Sequence, residues 1–206
     1  MSERPDPVVL PPDDRYGPSA LATPANAVTV IRLIFSPALL VLIVREPSSW
    51  GAVALWTVLA FSDGIDGALA RRHGTTRSGA FLDPLADKVL VLGAMFTLVA
   101  RGVFSIVPVL IIAAREFVIS IYRTVVGARG VSVPASRTAK YKTLFQQLAV
   151  GFALWPWFAD IEWTWTTLLW IAVALSIVSG IQYLWAAKTA DTGYTDIASS
   201  EMRARG

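Results

Sequence analysis

The chain of 206 residues is 54% hydrophobic and only 16% charged, with a net charge of +3 and a mean hydropathy of +0.55. It has no cysteine and one histidine, which excludes a disulfide framework, thiolate chemistry, a zinc–cysteine site and a multi-histidine metal site within one chain. Apolar runs of about twenty residues recur along it, the length that crosses roughly 30 Å of hydrocarbon as helix, so the composition predicts an all-α integral membrane protein with one folded domain.

The first 22 residues, MSERPDPVVLPPDDRYGPSALA, are rich in proline and acid. They lack the basic stretch and apolar core of a cleaved signal and read as a flexible cytoplasmic arm. Six apolar segments follow, near 24–44, 50–71, 79–100, 103–126, 139–158 and 165–188, so residues 23–188 form a six-helix membrane domain. Pro24 stands at a helix start and Pro37 is expected to bend the first span. Lipid offers no partner to an open backbone group, so spans joined by such short connections should be transmembrane helices. Residues 189–206 are polar, carry no recognisable motif and are expected to be a mobile cytoplasmic tail.

An even number of spans puts both termini on one side. Arg71, Arg72 and Arg77 fall between the second and third spans, Arg129 and Arg137 between the fourth and fifth, and Lys188, Arg203 and Arg205 after the sixth. The opposite loops carry only Arg45 and Arg101. The excess of basic residues marks the cytoplasmic face, and it places both termini there, in the cell membrane. Trp155, Trp157, Trp163 and Trp165 cluster around the far loop as an interfacial aromatic belt. The basic residues are spread over loops without interleaved aromatics, which argues against a nucleic-acid partner.

Against this apolar background, residues 61–88 read FSDGIDGALARRHGTTRSGAFLDPLADK and hold four aspartates. Asp63, Asp66, Gly67 and Ala70 share one helical face, and so do Gly79, Asp83 and Asp87. Two neighbouring antiparallel helices can then aim four carboxylates at one spot near the cytoplasmic surface, with Gly67 and Gly79 admitting close approach. Charge within a membrane segment is costly and points to function. Four carboxylates together repel unless neutralised, and hard divalent cations with a taste for oxygen, Mg²⁺ or Mn²⁺, are the natural counter-charge.

Magnesium sites of this kind leave positions open for substrate phosphate. Basic residues on other spans suit that role: Arg115, beside Glu116, and Arg123 in the fourth span, Lys140 and Lys142 at the start of the fifth. Asn26, Thr29 and Arg32 recur at three-residue steps in the first span. Together they describe an anion-accepting pocket beside a metal site.

The eight positions Asp63, Asp66, Gly67, Ala70, Arg71, Gly79, Asp83 and Asp87 resemble the signature of the CDP-alcohol phosphotransferases. Seven residues separate Arg71 from Gly79, one fewer than is usual in that family, which shortens the turn and leaves the helical faces intact. The resemblance extends over residues 22–188 and implies a six-helix membrane core, a homodimer and an active site open to the cytoplasm. It implies one or two Mg²⁺ or Mn²⁺ ions on Asp63, Asp66, Asp83 and Asp87, with Asp87 also the proton acceptor. It implies CDP contacts from Asn26, Thr29, Gly67, Arg71 and Thr76, and acceptor-phosphate contacts from Arg115, Arg123, Lys140 and Lys142.

Within the family, the segments 26–32 (NAVTVIR), 114–116 (ARE) and 140–143 (KYKT) look most like bacterial members that move a phosphatidyl group from CDP-diacylglycerol to sn-glycerol 3-phosphate. The same chemistry with phosphatidylglycerol or inositol phosphate as acceptor is the alternative. A divalent-cation transporter is the alternative of another class. The outer halves of the spans, LVLIV at 40–44 and VLVLGAM at 89–95, give a permeating ion no polar path.

Overall fold

The computed structural model describes the backbone of residues 24–73, 77–128 and 137–205, and the side chains of 28–62, 86–126 and 138–187. All regular structure among them is helical. Six α-helices run α1 Pro24–Arg45, α2 Trp50–His73, α3 Arg77–Ala100, α4 Ile106–Ala128, α5 Arg137–Leu154 and α6 Glu162–Arg205, with a 3₁₀ turn at Pro156–Phe158 before α6.

Each helix matches one apolar segment of the sequence, and the differences lie at the ends. The fourth segment was expected from residue 103, but α4 starts at Ile106 because the chain first has to leave α3. Gly102, at φ +74°, ends α3 in the left-handed conformation that glycine adopts without strain. Its N–H donates to the Val99 carbonyl at 2.9 Å, and the Val103 N–H donates to that of Leu98 at 2.9 Å, the paired bonds of a Schellman cap. The fifth segment was expected to reach 158. Instead α5 stops at Leu154, because Pro156 has no N–H to continue the ladder and biases Trp155 to extended backbone at φ −80°, ψ 119°. At the C-terminus α6 continues as helix through 189–205, where the polar composition predicted a mobile tail. No proline follows Pro156 to interrupt it.

Pro37 lies inside α1, and one residue earlier the Ser36 hydroxyl donates to the Arg32 carbonyl at 2.7 Å. Such back-bonding and a proline both favour bending at this turn.

The helices pack around α1 and α6. Both α2 and α3 pack on α1, both α4 and α5 on α6, with smaller contacts from α5 to α2 and α3. Among the described residues α2 and α3 each make their largest contact with α1. Every helix contributes to one core, from Leu39 and Trp56 through Met95 and Ile112 to Val150 and Leu169. The outside is apolar too: Phe61 is 72% exposed, Ile34 65% and Trp185 77%. Among the described residues two stretches, Val28–Arg45 and Glu162–Ala187, are long and apolar enough to cross a membrane, at mean hydropathy 2.1 and 1.8.

At one end of the bundle Trp50, at the start of α2, meets Trp155 and Trp157 edge-on at 6.5 and 5.3 Å between ring centres. Phe152 and Phe158 close the cluster at 4.7 Å. Trp155 and Trp157, two of the four far-loop tryptophans of the sequence, stack on each other here at 5.9 Å between ring centres.

Leu98 is fully buried in the core. Leu98→Ala is expected to destabilise the purified protein by about 2–5 kcal/mol, and Ile34→Ala to leave it within about 0.5 kcal/mol, read as thermal unfolding followed by tryptophan fluorescence.

Candidate active site

An apolar bundle must bury its polar side chains against partners, so the buried ones locate the site. On α1 the fully buried Thr29, Arg32 and Ser36 form an inward stripe. The Arg32 Nε donates to Ser62 Oγ at 3.3 Å, one residue before Asp63 on α2. Ser62 in turn donates to the Leu59 carbonyl at 2.7 Å. The polar face of α1 therefore sets the stretch of α2 that leads into the acidic motif.

On α4, Arg115 reaches across to α6. Its Nε donates to the Ser176 carbonyl at 3.0 Å and its Nη2 to Ser179 Oγ at 2.9 Å. Its Nη1 donates to Glu116 Oε1 at 3.1 Å. Gly180 eases this approach, since a Cβ there would stand a tight 3.3 Å from Arg115 Nε. The same Glu116 oxygen accepts from Lys142 Nζ on α5, and Lys142 is 7% exposed. Lys88 on α3 donates to Ser120 Oγ on α4. Further along α4, the Arg123 guanidinium stands 5.3 Å from the ring centre of Tyr183 on α6, a cation–π contact.

These groups surround one open cavity of about 480 Å³ between α3, α4, α5 and α6. Asp87, Arg115, Arg123, Lys140 and Lys142, five residues singled out from the sequence on three separate segments, all line it. Thr29 is buried in α1 and is not among its lining residues. The backbone at Asp63, Asp66, Gly67 and Arg71 is helical in α2, and that at Asp83 in α3, which preserves the one-face spacing read from the sequence. The side chains of Asn26, Asp63, Asp66, Arg71 and Asp83, and all of Thr76, lie outside the described residues.

The sequence reading did not assign Lys88, Ser120, Ser179 or Tyr183 to the site. Lys88 had a signal, since it directly follows Asp87 within an apolar helix. The serines had none, because serine is common in apolar helices and nothing in the chain says which one meets an arginine.

A second cavity, of about 410 Å³, opens between α2 and α5 and is apolar, with Val53, Ala60, Phe61, Leu148 and Phe152 in its wall. Leu144 and Gln147 line both cavities, so the charged and apolar spaces adjoin. Trp56 braces this wall by donating its indole N–H to the Gln147 carbonyl at 3.2 Å, beside Gly151.

A cationic cavity with one carboxylate from the end of an acidic motif, next to an apolar space, suits an enzyme acting on an anionic amphiphile. Residues 22–178 match the CDP-alcohol phosphatidyltransferase family. The chain belongs to that family and is a phosphatidyltransferase. It is 32% identical over 174 residues to the "Probable phosphatidylglycerophosphate synthase" of Mycobacterium tuberculosis, covering 82% of this chain and 83% of that protein. It is 38% identical over 169 residues to the "CDP-diacylglycerol--glycerol-3-phosphate 3-phosphatidyltransferase" of Escherichia coli K12, covering 78% of this chain and 92% of that one. The Haemophilus influenzae protein of the same name is 37% identical over 167 residues.

Because the Arg115 guanidinium fills the space above Gly180, Gly180→Leu is expected to dislodge it from Ser176 and to lower transferase turnover by about tenfold or more, the worth of one hydrogen bond to a charged group. Gly51→Leu, where nothing lies within 4 Å, is expected to leave turnover unchanged in the same assay.

Proposed function

We propose that this protein transfers the phosphatidyl group of CDP-diacylglycerol to sn-glycerol 3-phosphate, releasing CMP and forming phosphatidylglycerophosphate. The observation that carries the reading is one cavity lined by Asp87 together with five basic side chains, Lys88, Arg115, Arg123, Lys140 and Lys142. A phosphorylated acceptor explains a wall in which basic side chains outnumber the carboxylates Asp87 and Glu116. A neutral headgroup does not. The names of the relatives, at 32–38% identity over most of the chain, support the same substrates.

The reaction asks for three things. The acceptor phosphate has to be held so that its distal hydroxyl faces the donor's lipid-linked phosphorus, and the cationic cavity does this by charge and hydrogen bonding. The hydroxyl has to lose its proton as it attacks, and Asp87 is the carboxylate of the acidic motif at that wall. The new oxygen–phosphorus bond forms as the bond from that phosphorus to the CMP oxygen breaks, and CMP departs with the electron pair. Placing the groups and balancing charge supply most of the acceleration in such transfers. The adjoining apolar cavity between α2 and α5 is where an acyl chain of the donor would rest while its headgroup stays in the polar space.

The acidic motif fits a hard divalent cation by its donor set, four carboxylates at one-face spacing on two helices. Asp63, Asp66, Asp83 and Asp87 would hold one or two Mg²⁺ or Mn²⁺ ions, which neutralise pyrophosphate charge and ease CMP departure. Asn26, Thr29, Gly67, Arg71 and Thr76 would contact the CDP moiety. All six helices would cross the cell membrane, with both termini and the site cytoplasmic. The exposed apolar side chains would face lipid or the second protomer of a homodimer.

The test is purified protein with CDP-diacylglycerol, Mg²⁺ or Mn²⁺, and a panel of acceptors. CMP release with sn-glycerol 3-phosphate and not with phosphatidylglycerol or inositol phosphate is expected. Release only with one of the others overturns the reading. Asp87→Asn is expected to reduce turnover by about 10²–10⁴-fold while the protein still binds Mn²⁺, measured by electron paramagnetic resonance; near-normal turnover would remove Asp87 from the role of base.

A further inference from the structure

We propose that Glu116 is a positioning residue of the acceptor site, the internal counter-ion that aims Arg115 and Lys142 at the acceptor's phosphate. The proposal rests on the reading of the acceptor given above and adds a residue that none of its steps uses.

A carboxylate is a poor choice for the wall of an anion site unless it does something the cations cannot do alone. Glu116 lines the charged cavity, and its side chain is only 13% exposed. One oxygen, Oε1, accepts from Arg115 Nη1 and from Lys142 Nζ together. Arg115 is already fixed on α6 through the Ser176 carbonyl and Ser179 Oγ. Its guanidinium thus fixes Glu116, and Glu116 fixes the ammonium.

Lys142 needs this. It is a point charge on a flexible four-carbon stem, which without a partner turns toward water. Its side chain is 9% exposed, so its charge is carried inside the wall. Among the described residues α4 and α5 are not a packed helix pair, although both pack on α6. The Glu116–Lys142 ion pair therefore ties the two sides of the cavity where helix packing does not. An incoming phosphate then meets two cations already at fixed positions, instead of having to order a mobile lysine as it binds.

The balance of charge agrees with this role. Five basic side chains face the cavity, Lys88, Arg115, Arg123, Lys140 and Lys142, against Asp87 and Glu116. With Glu116 in place the wall keeps a net positive charge for a dianion, yet Arg115 and Lys142 are not left uncompensated in the empty enzyme.

The experiment compares the full-length protein with E116Q and E116D, measuring CMP release while glycerol 3-phosphate and CDP-diacylglycerol are varied separately. E116Q is expected to raise the KM for glycerol 3-phosphate about tenfold or more with the KM for CDP-diacylglycerol changed less than about twofold, because only the acceptor's fixed cations are lost. E116D, which keeps the charge on a shorter stem, is expected to recover most of that loss. A second readout needs no turnover: inorganic phosphate is expected to raise the thermal midpoint of the wild type, and the variants to need more of it, by about tenfold for E116Q and about threefold for E116D. An unchanged acceptor KM in E116Q, or both KM values rising together, overturns the proposal and leaves Glu116 a structural ion pair. If E116Q does not fold, E116D decides: a rise of about threefold in the acceptor KM alone supports the proposal, and an unchanged acceptor KM or both KM values rising together overturns it. If the wild type releases no CMP with glycerol 3-phosphate, the acceptor reading fails, and the phosphate titration still decides the role of Glu116.

Discussion

An arginine buried in an apolar bundle has to find acceptors, and where it finds them decides which helices meet. Arg115 finds them on α6, at the Ser176 carbonyl and the Ser179 hydroxyl, and on Glu116 beside it. Gly180 leaves room for the guanidinium. That joint sets α4 on α6, the carboxylate passes the constraint to Lys142 on α5, and the cavity is the space those three helices leave against the end of α3. Arg123, farther along α4, lies over Tyr183 and extends the same seam. Remove the joint, and α4, α5 and α6 lose the hydrogen bonds that run through Arg115 and Glu116.

The second constraint is the division of surface. The core takes its apolar side chains from all six helices, yet Ile34, Phe61 and Trp185 remain largely exposed. A soluble protein rarely leaves so much large apolar surface uncovered. Seven charged side chains line one cavity between α3, α4, α5 and α6, and the apolar cavity adjoins it through Leu144 and Gln147. This arrangement suits a substrate that is ionic at one end and hydrocarbon at the other.

Much of this was legible in the sequence, for physical reasons that can be named. Apolar runs bounded by charge gave six helices, because a chain this apolar has few other ways to satisfy its backbone. Period-four spacing gave the faces of the acidic motif. Basic residues inside apolar segments marked Arg115, Arg123, Lys140 and Lys142, because such charges are rare without a use, and all four line one cavity with Asp87. The helix ends were less legible. A glycine cap at Gly102 moved the start of α4, and Pro156 ended α5 early. Ser176, Ser179 and Tyr183 carried no signal at all, since hydroxyl groups are ordinary in apolar helices.

The sequence by itself determined the helical content, the family signature and which charges were too costly to be idle, because these follow from local spacing and from the price of burying charge. Only the tertiary structure decided that Arg115 is anchored on α6, that Glu116 joins it to Lys142, and that a charged cavity and an apolar one share a wall. Those facts depend on which helix lies beside which. Ser176 stands 61 positions from Arg115, a separation that marks nothing in the sequence, and only packing makes the pair a hydrogen bond.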